Sequence, residues 1–247
     1  GRRNRQRQPE TQFNVAQNTF AHKGTPMPTP HLIVMLTHND HTVANAREIY
    51  LQNRHSQAQF WGFKEEPLSR QEMKDLFALM KADGKTTFLE VVEYTEDAGL
   101  AGAEVALECG CDILMGTKFY PSINQFCQAN RLKYMPFVGE LAERPTILRG
   151  NIADIIAEAQ SYAAQGVHGI DLLGYRYTGD AAQLNAELVK NVSIPVCIAG
   201  SVNSYQRLDE LKAAQPWAFT IGSAFFDNQF SGSIAEQIDK VCEYMKA

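Results

Sequence analysis

The sequence predicts a single (β/α)8 barrel, an α/β fold, and three observations predict it. Short apolar runs alternate with helical patterns eight times, which implies parallel strands joined by right-handed crossovers. The chain has 247 residues, close to the ~250 typical of one such barrel. Its first strand runs into Thr37-His38-Asn39-Asp40, without the glycine-rich turn that an open doubly wound sheet places there.

The elements follow in order from residue 27. Residues 31–37 (HLIVMLT) are an unbroken apolar run, as expected of a strand covered on both faces. Asn39 or Asp40 then offers an N-cap for a helix reaching about His55. Residues 59–64 (QFWGFK) are the second strand, and Pro67 precedes a helix over 69–82. Residues 86–92 form the third strand; Thr95, Glu96 and Asp97 open the next helix, which stops near Gly110. A fourth strand over 112–117 leads to a short helix at 122–130. The fifth strand, 133–138, is followed by a long connection over 139–150, a candidate lid, and then a helix over 152–165. The sixth strand and its helix fall at 169–173 and 181–190, and a last helix at 234–245 closes the chain. Strands seven and eight, 194–199 and 218–221, flank a helical pattern in which Tyr205, Leu208 and Leu211 recur every three residues.

Composition narrows the function classes. Hydrophobic residues make up 45% of the chain and charged residues 21%, an ordinary balance for a globular protein with a large core. No apolar run approaches the ~18 residues of a membrane span, so no membrane partner is expected. Cys109, Cys111, Cys127, Cys197 and Cys242 lack metal-type CxxC spacing and read as free thiols in a reducing cytoplasm. Residues 1–26 carry Arg2, Arg3, Arg5, Arg7 and Lys23 against Glu10, and read as a basic N-terminal tail or a leader ahead of Met27. The whole chain nevertheless carries a net charge of −5, so the body behind that tail is acidic. This argues against nucleic acid as a partner. A homo-oligomer is compatible with everything above.

Barrels of this kind place their chemistry at the C-terminal ends of the strands. Strands seven and eight both close on a small pair there, Gly200-Ser201 and Gly222-Ser223. A missing Cβ lets backbone N–H groups approach an anion, and the serine hydroxyl adds a donor, so these four residues are the candidate phosphate site. The two Gly-Ser ends resemble those of the ribulose-phosphate-binding barrels. That superfamily includes indole-glycerol-phosphate synthase, the histidine-pathway isomerases, and sugar-phosphate epimerases and decarboxylases. The resemblance covers roughly 35 residues closely and implies a phosphorylated small-molecule substrate. No single member is matched: the Asp-x-Lys-x-x-Asp signature of the decarboxylases is absent from the third strand, which reads EVVEYTED.

Charged residues inside buried strands need a partner or a task. Glu90 stands between Leu89 and Val91, and Asp171 between Ile170 and Leu172. Lys64 ends an aromatic run on the same face as Phe60 and Gly62, and Lys118 closes the fourth strand. Lys64, Glu90, Lys118 and Asp171 are therefore the candidate catalytic residues. Asn39 and Arg176, just past strands one and six, are the candidate substrate-binding residues. A carboxylate can remove a proton beside a carbonyl while an ammonium stabilises the resulting enediolate. Alternatively one lysine could form a Schiff base with a ketose. Either serves a lyase or aldolase, an isomerase or an epimerase of a sugar phosphate. No cofactor is required and no metal ligand set is assigned, although Glu90, Glu93 and Asp171 are oxygen donors of the kind Mg2+ accepts. The other readings are a non-catalytic barrel that binds or senses a phosphorylated metabolite and, since the same Gly-Ser site can hold the phosphate of FMN, a flavin barrel.

Overall fold

The computed structural model describes residues 28–247; the expected basic tail or leader, residues 1–26, and its boundary at Met27 lie outside them. Among the described residues, eight parallel strands form the barrel wall: β1 (His31–Met35), β2 (Phe60–Lys64), β3 (Thr86–Val91), β4 (Ile113–Gly116), β5 (Lys133–Met135), β6 (Ile170–Leu172), β7 (Val196–Ile198) and β8 (Ala218–Ile221). β1 pairs with both β2 and β8, which joins the two ends of the chain in one sheet. The remaining seam, between β5 and β6, is bridged by Phe137 and Asp171, and Asp171 N–H donates to Pro136 O at 2.9 Å.

Period-2 alternation sorts the strand residues into two cores. Ile33, Met35, Phe88, Ile113, Met115, Met135, Cys197 and Ala218 fill the bore. Leu32, Val34, Trp61, Phe63, Leu89 and Leu114 face outward into the helix layer. Gly62 faces the bore, where a Cβ would come within 2.6 Å of Phe88 O, so only glycine fits between Met35 and Phe88. That packing makes the lower bore a plug.

The helices are α1 (Ala46–Asn53), α2 (Arg70–Ala82), α3 (Glu96–Cys109), α4 (Pro121–Ala129), α5 (Ile152–Ala164), α6 (Ala181–Asn191), α7 (Tyr205–Ala214), α8 (Ser223–Phe226) and α9 (Ile234–Lys246). Local chemistry sets several of their ends. Ser69 and Glu72 form a capping box at α2, Thr95 caps α3, and Gly110 ends α3 in the left-handed conformation. Phe63 of β2 stacks on Phe77 of α2 with centroids 4.3 Å apart.

Three expectations change. Asn39 and Asp40 do not cap a helix: both have positive φ and form the tip of a hairpin pairing Thr37–His38 with His41–Thr42. Two consecutive left-handed residues are what a tight hairpin turn demands, and α1 starts only after Asn45. The long connection over 139–150 is likewise a hairpin, pairing Glu140–Ala142 with Ile147–Arg149. Finally, the short helix α8 follows β8 directly, where no helix was expected.

Candidate functional site

A cavity of about 560 Å³ opens at the C-terminal ends of the strands. Lys64, Glu90, Arg176, Asn39, Gly200, Ser201, Gly222 and Ser223 all line it. Lys64 and Glu90 are cross-strand partners in the β2–β3 ladder, so the register alone puts both on the bore side. Lys64 is only 18% exposed at its side chain, and Nζ lies 4.0 Å from Glu90 Oε1. The Thr37–Thr42 hairpin adds Asp40, whose Oδ1 is 3.6 Å from Lys64 Nζ and 2.9 Å from Arg176 Nη2. Thr42 holds this hairpin in place: its hydroxyl donates to Lys64 O at 2.7 Å and accepts from Lys64 N–H at 2.9 Å. Burial opposes ionisation of Asp40, but Lys64 and Arg176 together draw its carboxyl below the ordinary range.

Arg176 ends a 3-10 turn, Gly174–Arg176, just past β6. Its buried Nε has no partner among the described residues. Gly200 sits against it with φ +82°, and a Cβ there would lie 3.3 Å from Arg176 Nε. Glycine thus serves two ends at this position: it takes a left-handed conformation and lets the guanidinium reach the β7 loop. Gly200 N–H donates to Thr220 Oγ1 at 3.2 Å, and Ser201 O accepts from Arg207 Nη1. Across the mouth, Ser223 Oγ accepts from Asn39 N–H at 3.0 Å, and His38 Nε2 lies 2.8 Å from Asp227 Oδ1. Among the described residues the Ser201 and Val202 amides make no loop hydrogen bond, and Ser223 and Ala224 open the first turn of α8, where amides lack an intrahelical partner. The two Gly-Ser ends therefore face one cavity with unused donors.

Asp171 and Lys118 lie differently. Asp171 points into the bore beneath the cavity and is fully buried. Burial, and then the neighbouring Glu90 carboxyl, push the Asp171 carboxyl well above the ordinary range, against a smaller pull from Lys64. Lys118 is exposed and outside the cavity, its ammonium 5.8 Å from the centre of the Tyr120 ring. The cause is backbone. Gly116 and Thr117 both take positive φ, the Thr117 hydroxyl bonds Tyr134 inside, and the chain turns Lys118 outward. Reading Lys118 as part of the catalytic layer assumed that period 2 continued to the strand end, and it does not.

Sequence reasoning missed Glu65 as a site residue. It lines the cavity next to Lys64, and its carboxyl is pushed up to about 7 by burial and then by Glu93 and Glu66, against Arg144. A carboxyl poised there can give or take a proton at neutral pH. Its position at a strand end was legible; its proximity to Glu93 was not. Glu93 pairs with Arg144 at 3.2 Å, and Arg144 also donates to Val92 O at 2.7 Å. The candidate lid over 139–150 is thereby tied to the strand below it. Among the described residues no three His, Cys, Asp or Glu side chains are grouped as metal ligands would be.

No family model and no curated protein sequence matches the chain. Solved structures do. A thiamine phosphate pyrophosphorylase from Pyrococcus furiosus is 14% identical, with a TM-score of 0.61 over 88% of this chain and 96% of that one. An N-acetylmannosamine-6-phosphate 2-epimerase from Clostridium perfringens is 14% identical, with a TM-score of 0.58 over 86% and 92%. A phosphoribosylanthranilate isomerase from Thermotoga maritima is 13% identical, with a TM-score of 0.59 over 88% and 99%. At such identities the likeness is one of fold: the chain is a (β/α)8 barrel.

Proposed function

We propose that the protein is an enzyme acting on a phosphorylated sugar or a related small metabolite, through proton transfer beside a carbonyl. The observation that carries this reading is the Lys64–Glu90 pair, 4.0 Å apart in a cavity whose rim holds Gly200-Ser201 and Gly222-Ser223. The phosphate would take the free amides of the two Gly-Ser ends and the Arg176 guanidinium. That anchors the substrate's carbon chain over Lys64. Glu90 would take a proton from the carbon next to the carbonyl, and the electron pair would move onto the carbonyl oxygen. The Lys64 ammonium would stabilise that oxygen, an interaction stronger in the transition state than in the ground state. Returning the proton to a different atom gives isomerisation, and returning it to the other face gives epimerisation. Loss of a carbon–carbon bond to the same enediolate gives lysis. With Asp40 and Glu90 both within ion-pair reach of Nζ, an ammonium role fits Lys64 better than that of a free amine forming a Schiff base.

The test is a thermal-shift screen with inorganic phosphate, ribulose and hexulose phosphates and phosphoribosyl compounds, each with and without Mg2+. A ligand at a hundred times its dissociation constant stabilises the native state by ~2.7 kcal/mol. A sugar phosphate that stabilises well beyond inorganic phosphate supports the reading and selects the substrate for a turnover assay. No response to any phosphate, with the fold intact, overturns it.

A further inference from the structure

We infer that Asp171 and Glu90 share one proton at neutral pH, with Asp171 as a positioning residue that sets the charge of Glu90. Glu90 rises from β3 and Asp171 from β6, and both enter the bore. They are 6% and 0% exposed. Glu90 Oε2 and both Asp171 oxygens have no hydrogen-bond donor among the described residues. Neighbouring carboxylates, both buried and without donors, do not both stay ionised. Around them stand Lys64 from β2 and the Cys197 thiol from β7. Lys64 is the one cation acting on them among the described residues, and Asp40 already engages it at 3.6 Å. A proton between the two carboxyls joins Glu90 Oε2 to one of the two orphaned Asp171 oxygens and removes one of the two buried charges.

The proton resides on Asp171. Asp171 is the deeper of the two, while Glu90 has the Lys64 ammonium at 4.0 Å to favour its charge. The upward push on the Asp171 carboxyl from burial and from Glu90 agrees with this order. Glu90 then faces the cavity as an anion that accepts a hydrogen bond from below. It can take one proton from a substrate carbon, with the bonding electrons passing to the substrate's carbonyl oxygen, and give the same proton back. This use rests on the proposed function; the shared proton does not.

Infrared spectroscopy of the full chain without ligand tests the shared proton. In a Glu65→Gln background, which removes the band of the raised Glu65 carboxyl, the protein at about pH 7 should show the carbonyl stretch of a protonated carboxylic acid, shifted in D2O and lost when Asp171→Asn is added. Absence of that band, or its persistence in Asp171→Asn, overturns the inference. Should Asp171→Asn fail to fold, Glu90→Gln serves instead. The band must then move in frequency, because its acceptor has changed, and an unmoved band overturns the inference. A second readout follows from linkage. The native protein keeps a proton that the unfolded chain releases in the ordinary carboxylate range, so this stabilisation is present in acid and lost as pH rises. The stability of Asp171→Asn relative to wild type should therefore grow from about pH 5 to about pH 8, and parallel profiles overturn the inference. Because no ligand is present, these results stand apart from the phosphate screen.

Discussion

Asp40 Oδ1 accepts a hydrogen bond from Arg176 Nη2 at 2.9 Å and lies 3.6 Å from the Lys64 ammonium. One carboxylate on a hairpin tip thus occupies two cations that an anionic substrate would also use. Asp40→Asn should free them and tighten inorganic phosphate binding by about five-fold, or ~1 kcal/mol, the scale of a partly exposed ion pair. Isothermal titration calorimetry reads this directly. Unchanged or weaker binding would mean that the phosphate does not meet Arg176.

Lys64 and Lys118 make a matched pair of controls. Lys64→Met should lower kcat about 10²–10³-fold on the sugar phosphate selected by the thermal screen, as loss of one oxyanion donor does. Lys118→Met should leave turnover and melting temperature unchanged, since its side chain lies outside the cavity. Equal losses in both variants would contradict the assignment of Lys64.

Glu65 gives a pH dependence with a definite sign. Its carboxyl is pushed up to about 7 from an ordinary value of 4.5, so the native state binds the extra proton between those values. The stabilisation is full below the lower value and is lost as pH rises through the upper one. Glu65→Gln should therefore gain stability relative to wild type between those two values, read from urea midpoints. The side chain is partly exposed, and solvent screening will keep the gain small.

Gly200 tests the contact between the β7 loop and Arg176. Alanine at φ +82° costs about 1–2 kcal/mol in backbone strain, and its Cβ would press on Arg176 Nε from 3.3 Å. Gly200→Ala should lower the melting temperature and weaken phosphate binding together. A loss of stability with unchanged phosphate affinity would separate Arg176 from the anion site.

The barrel was legible because each strand is an apolar run and several helices carry their own stop and start signals, such as Ser69 with Glu72 and Gly110. Glu90 and Asp171 were legible for the converse reason, as charges where the pattern calls for apolar side chains. The hairpins at Thr37–Thr42 and Glu140–Arg149 were not. Their strands are two or three residues long, too short for a period to register. Lys118 was misplaced because positive φ at Gly116 and Thr117 ends the alternation one step early. The roles of Asp40 and Glu65 depend on neighbours far along the chain, and spacing within one segment carries no information about those.

The hairpin after β1 meets its partners at the other end of the chain. Asn39 N–H finds Ser223 Oγ across 184 residues, and His38 finds Asp227 across 189. During synthesis, therefore, the cavity wall that carries Asp40 and Lys64 emerges long before anything exists to close the rim above it. The cavity can form only once the β7 and β8 loops have left the ribosome, so a nascent or truncated chain exposes Lys64 and Asp40 with no rim above them.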